Sequence, residues 1–229
     1  AGFLLVGLVA GVYAGLTGVD GANPEALRKA VEPFIIYSML PVFLISGLPV
    51  MAITRARAAD VLNDGSPTGV GWQGSTPPAI LCSLLLGAAF AFGCLFLYGT
   101  VFTEIKPDAG SPIAQMASTG PLAQLLLAVM VVVVAPLLEE VLFRGVMLAG
   151  FTRSFGLPVA VILCTSLFVA AHTPELMRYP PGTIGIGGLA FLAIWLRLKT
   201  KSVFPAMAVH AGYNGLLVAL MALAPLLQQ

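Results

Sequence analysis

The stretch Val131-Val132-Val133-Val134-Ala135-Pro136-Leu137-Leu138-Glu139-Glu140-Val141-Leu142-Phe143-Arg144-Gly145 places two adjacent carboxylates and a guanidinium inside an apolar run long enough to lie in a bilayer. Ionised groups are costly at membrane depth and persist there chiefly when they pair with one another or serve a site. If the run is helical, Glu140 and Arg144 stand four apart and share a face, while Glu139 points about 100° away. The rest of the chain has to supply surroundings in which those charges are tolerable.

Of the 229 residues, 59% are hydrophobic and 9% are charged, and the mean hydropathy is +0.98. Soluble domains carry roughly a quarter charged residues, so the composition implies an all-α polytopic transmembrane helical bundle. Residues 1–229 read as a single transmembrane domain, because the apolar runs leave no room for a soluble module. The formal net charge is +1, and the basic residues are scattered or sit at the ends of apolar runs, which excludes nucleic acid as a partner and leaves the lipid bilayer. Cys82, Cys94 and Cys164 all fall within apolar runs and form no CxxC pair, so each reads as a buried small hydrophobe.

Working outward, seven spans are expected at about residues 1–19, 33–53, 79–102, 121–150, 157–171, 183–196 and 203–227, and a helix upstream of Ala1 would make eight. Gly7, Gly11 and Gly15 give the first span a face for close helix packing, and Pro41 and Pro49 kink the second. A short interfacial helix is expected near residues 54–63, with Trp72 at headgroup level. The fourth run would be roughly 45 Å long at 1.5 Å per residue, so it must tilt or project, and Pro136 should bend it just before Glu139. Thr173 to Gly182 reads as a loop, since Pro180 and Pro181 stop the helix. This count sets Arg55, Arg57, Arg153, Arg197, Lys199 and Lys201 against Arg28, Lys29, Lys106 and Arg178, and the six-to-four bias puts the first group in the cytoplasm.

Once interfacial charges are removed, the polar groups left at membrane depth are Glu139, Glu140, Arg144, His172 and His210, with Asn214 beside them. They lie on three different spans. A carboxylate held against a histidine in a low-dielectric cavity is a general base able to take a proton from water. A histidine and an asparagine four residues apart can donate hydrogen bonds to a developing oxyanion. Arg144 can neutralise a glutamate or bind the carboxylate of a peptide terminus. The set therefore suits amide hydrolysis by activated water, without a serine or cysteine nucleophile. Zinc on Glu140, His172 and His210 is the rival chemistry, although there is no HExxH. Counted along the helices from their cytoplasmic ends, His172 also lies deeper than Glu140 and His210.

Glu139-Glu140-xxx-Arg144, Phe168-xxx-His172 and His210-xxx-Asn214, in that order on separate spans, resemble the three motifs of the CPBP family of CAAX prenyl endopeptidase type II (Rce1-like, Abi) and bacteriocin-processing membrane proteins. The motif-bearing core is about residues 121–218. The resemblance implies a metal-independent intramembrane endopeptidase with no cofactor and a cavity open toward the cytoplasm, and the Ala/Gly/Val/Leu-rich composition with few lysines points to a bacterial inner membrane. Glu140 would activate water with His172, His210 and Asn214 would hold the oxyanion, and Glu139 and Arg144 would orient the site. The substrate would be a membrane-associated or lipidated protein or peptide, and a homo-oligomer or an accessory membrane partner is compatible with this. Two readings compete: a non-catalytic scaffold or bacteriocin-immunity protein in which the polar set holds helices together, and a proton-coupled transporter, for which no internal repeat is visible.

Overall fold

The computed structural model describes residues 59–105 and 121–223, with scattered positions between 11 and 57. The first two expected spans, with their glycine face and proline kinks, lie outside the continuously described residues. The described elements are all helices: α1 (Ala59–Asn63), α2 (Pro77–Val101), a long α3 over residues 121–155, α4 (Leu157–Ala171), α5 (Thr173–Arg178), α6 (Gly182–Thr200) and α7 (Phe204–Leu223). Among the described residues four helices are long and apolar enough to cross a membrane, namely α2, α3 from Gln124, α6 and α7, and α4 is a shorter apolar helix. The chain is a multi-pass membrane protein, and the described residues account for four or five of the seven expected spans.

Proline and glycine set the boundaries. Pro77 and Pro78 occupy the first turn of α2, where a missing N–H costs nothing, and Thr76 caps it by accepting from the Ala79 amide at 3.4 Å. Gly156, at φ 82°, turns the chain from α3 into α4, and Pro158 sits in the first turn of α4. Three boundaries differ from expectation, the first being that of α3, which runs on to Phe155 rather than ending near residue 150. Residues 173–178 form the short helix α5 rather than loop, because Pro174 falls in a first turn, which tolerates it. The sixth span also runs on to Thr200. The helix expected near residues 54–63 is present as α1, with helical residues at 55–57 before it.

The bundle is held by close backbone approach. On α2 the inward residues are Ser83, Gly87, Ala91 and Cys94, while Leu81, Leu85, Phe92 and Phe96 are exposed on the other side. Gly87 lies against the Val209 carbonyl and Gly212 against the Leu84 carbonyl, so α2 and α7 meet where neither carries a Cβ. Cys94 and Cys164 are buried as expected, but Cys82 is exposed on the outer side of α2.

One end of the bundle carries the loop of residues 64–76, docked on the α6–α7 turn. The Val203 amide donates to the Gly71 carbonyl at 2.9 Å and the Ser202 hydroxyl to the Gln73 carbonyl at 2.6 Å. Arg197, read from sequence as an interfacial charge, is fully buried beneath this loop. Its guanidinium donates to four loop carbonyls, those of Gly65, Ser66, Gly69 and Val70.

Candidate active site

The site forms where α3 departs from α-helical geometry. Met130–Val134 and Val141–Met147 are π-helical, and the α-helical segment Ala135–Glu140 between them carries both glutamates. Wide turns of this kind occur often at functional sites. The Ala135 amide reaches back to the Met130 carbonyl. In that register the next carbonyl, Val131, would need an N–H from residue 136, which is a proline. Asn214 on α7 supplies the missing donor, with Nδ2 at 2.9 Å from the Val131 carbonyl. An amide has two N–H bonds, so one remains for the cavity that Asn214 also lines.

The two glutamates differ sharply in environment. Glu140 is fully buried, and its Oε1 accepts from Arg144 Nη1 at 3.0 Å and from His210 Nδ1 at 2.8 Å. Arg144, equally buried, uses Nη2 on the Ala190 carbonyl of α6 at 3.1 Å and stacks its guanidinium 4.2 Å from the centre of the Phe168 ring. It has no route to a substrate carboxylate. Glu139 keeps 30% side-chain exposure and stands 4.0 Å from His210 Nε2, too far for a hydrogen bond. Glu139 is part of the cavity wall and Glu140 is not.

That cavity, about 730 Å³, gathers Glu139, His172, His210 and Asn214 at its polar part. Apolar and aromatic side chains from α2, α6 and α7 line the remainder, among them Leu95, Tyr98, Phe102 and Ile186. The wall runs out to the exposed residues Thr103, Ile105 and Glu175, at the end of the bundle opposite the 64–76 loop. Arg153, Lys199 and Lys201 lie at the loop end, with the chain directions of α3 and α6. A cytoplasmic basic cluster and a cavity open to the cytoplasm are therefore incompatible expectations.

His172 reaches this cavity because α4 is short and ends at it. The ring Nδ1 donates to the Phe168 carbonyl at 2.8 Å; a carbonyl only accepts, so in the neutral imidazole Nε2 is an acceptor. Phe168 is the common platform, with ring centroids 4.7 Å from His172 and 5.8 Å from His210. The cavity thus joins Glu139, His172 and His210, which come from three different parts of the chain and were counted at unequal depth, and leaves Glu140 behind its wall. Zinc does not fit Glu140, His172 and His210 as arranged, since Glu140 is fully buried behind the cavity wall and its Oε1 is already shared by Arg144 and His210 Nδ1. Among the described residues no group of three or more His, Cys, Asp or Glu side chains is placed to hold a metal ion.

Residues 121–216 match the family model for type II CAAX prenyl endopeptidase Rce1-like proteins. No curated protein and no solved structure matches the chain. The matched segment contains all six polar residues and runs from the start of α3 into α7. Sequence reasoning gave no role to Phe168, although it lies in the second motif. It also missed Arg197 and Val70, which lie far apart in the chain and carry no shared motif.

Proposed function

We propose that the chain is an intramembrane endopeptidase that hydrolyses a peptide bond of a membrane-associated or lipidated protein, with Glu139, rather than Glu140, as the base that activates water. The observation that carries this reading is the division of labour between the carboxylates: Glu139 lines the cavity with His172, His210 and Asn214, while Glu140 lies behind them with its Oε1 taken by Arg144 and His210. Glu139 takes one proton of a water whose other O–H is held by the Nε2 acceptor of His172, as the water oxygen attacks the substrate carbonyl. The developing oxyanion faces the free N–H of Asn214, and His210, held at Nδ1 by the Glu140 carboxylate, stands beside it in the cavity wall. The leaving amine receives the proton from Glu139. Glu140 and Arg144 are positioning residues. The family match over residues 121–216 supports the same reaction class, and the apolar wall suits an extended hydrophobic stretch or an acyl or isoprenoid chain.

This reading takes residues 1–229 as one transmembrane domain with a catalytic core at 121–218, in a bacterial cytoplasmic membrane. Membranes from cells carrying the intact chain or its Glu139→Gln form test it by terminal-peptide mass spectrometry. One or more membrane proteins or lipidated peptides should be longer in the variant. Identical termini in both, with the variant folded, would contradict hydrolysis and favour a non-catalytic scaffold.

A further inference from the structure

We propose that the loop of residues 64–76 is a positioning element for the site, and that Val70, held by Arg197, sets where Arg144, Glu140 and His210 stand. Its kinetic arm rests on the hydrolytic reading above, and its spectroscopic arm does not.

The loop is fixed by an unusual concentration of donors. Arg197 gives Nε to the Val70 carbonyl at 3.2 Å, Nη1 to Gly65 at 3.0 Å, and Nη2 to Ser66 at 3.0 Å and Gly69 at 2.8 Å. A planar guanidinium holds such a set in one geometry, which an ammonium cannot do. The consequence is local. Val70 is buried and pressed onto the backbone of Gly145, so closely that a Cβ there would stand 2.7 Å from Val70 Cγ1.

Gly145 follows Arg144 within the π-helical segment Val141–Met147. Such a segment is intrinsically less favourable than α-helix and depends on its surroundings. Two parts of the bundle supply that support from α6: the Ala190 carbonyl takes Arg144 Nη2, and Arg197, seven residues on and so on the same face, holds Val70 against the next residue. From Arg144 the contacts continue through Glu140 Oε1 to His210 Nδ1. The loop also bonds the residue preceding α7, through Val203 to Gly71, and His210 lies two turns along that helix. Neither Val70 nor Arg197 lines the cavity, so neither touches substrate. The array is held from the end of the bundle opposite the cavity's exposed rim.

The test uses the full chain in detergent micelles with Val70→Ala, Arg197→Lys, Gly145→Ala, and Gly145→Ala combined with Val70→Ala. Val70→Ala keeps every bond of Arg197, since all four go to backbone carbonyls, so it decides the matter even if Arg197→Lys fails to fold. The chain has two histidines, and nitrogen-15 labelling of histidine therefore gives two ring systems, with His172 as internal control. Val70→Ala and Gly145→Ala should move the His210 ring resonances and leave those of His172 in place, and the double variant should return His210 toward its original position. On a cleaved peptide, kcat should fall about 10- to 100-fold with little change in KM, as for a small misplacement of catalytic groups. An unmoved His210 ring, or equal movement of both rings, would overturn the proposal. Absence of cleavage by the unaltered chain would count against the hydrolytic reading alone, leaving the resonances to decide this one.

Discussion

One helical step of about 100° separates Glu139 from Glu140, enough to put the first on the cavity wall and the second against Arg144 and His210. The buried pair is worth little as net stability, but removing one partner strands the other. Arg144→Ala should therefore lower stability by about 3–5 kcal/mol, measured by unfolding in mixed micelles. Arg144→Lys should recover only part, because one ammonium cannot hold both Glu140 Oε1 and the Ala190 carbonyl in the geometry of the fork. The Glu140–Arg144 pair was legible in the sequence because i,i+4 spacing survives most helical geometry. Which glutamate faces the cavity was not legible, because it depends on the rotation of α3 relative to α7, and two π-helical segments alter that rotation.

At the scale of elements, α4 was readable to the residue, since Gly156, Pro158 and Pro174 punctuate both ends. The π-helical segments were not readable, because runs such as Met130–Val134 have the composition of any apolar α-helix. Only Pro136 hinted at a disturbance, and what it produces is an orphaned Val131 carbonyl satisfied by Asn214. Asn214→Ala should cost about 1–3 kcal/mol for the unpaired carbonyl. Pro136→Ala returns an N–H to that register and should shrink this cost. Unfolding free energies of the two single variants and the double variant measure the coupling, and strict additivity would mean that Asn214 does not serve that carbonyl.

Across the whole molecule, the membrane class and helical architecture followed from composition, whereas the position of the 64–76 loop did not, because four backbone carbonyls on one arginine leave no sequence pattern. Burial of Arg197 removes one member of the basic group and leaves five against four. That weak bias no longer decides orientation, and the hydrolytic reading places the cavity end in the cytoplasm. In a background without the three native cysteines, an impermeant thiol reagent should label Thr103→Cys only from the cytoplasmic side and Ser66→Cys only from the other; the reverse pattern would invert the orientation. The loop should also respond to acid. The Ser66 hydroxyl and amide hold the Asp64 carboxyl below the usual carboxylate range. A depressed folded value gives stabilisation that is present above the unfolded pKa, near 4, and lost as pH falls through the folded value. Protection of the Val70 and Gly71 amides from hydrogen exchange, taken relative to the intrinsic rate at each pH, should therefore fall at acid pH, and Asp64→Asn should remove that loss.

The most direct measurement compares Glu139→Gln and Glu140→Gln on one cleavable membrane peptide, with folding checked for both. Glu139→Gln should abolish turnover while the protein stays as stable as the unaltered chain. Glu140→Gln should retain a reduced but measurable turnover and lose stability, because Arg144 and His210 lose their shared carboxylate. Full turnover by Glu139→Gln, with complete loss confined to a stably folded Glu140→Gln, would contradict the assignment of the base.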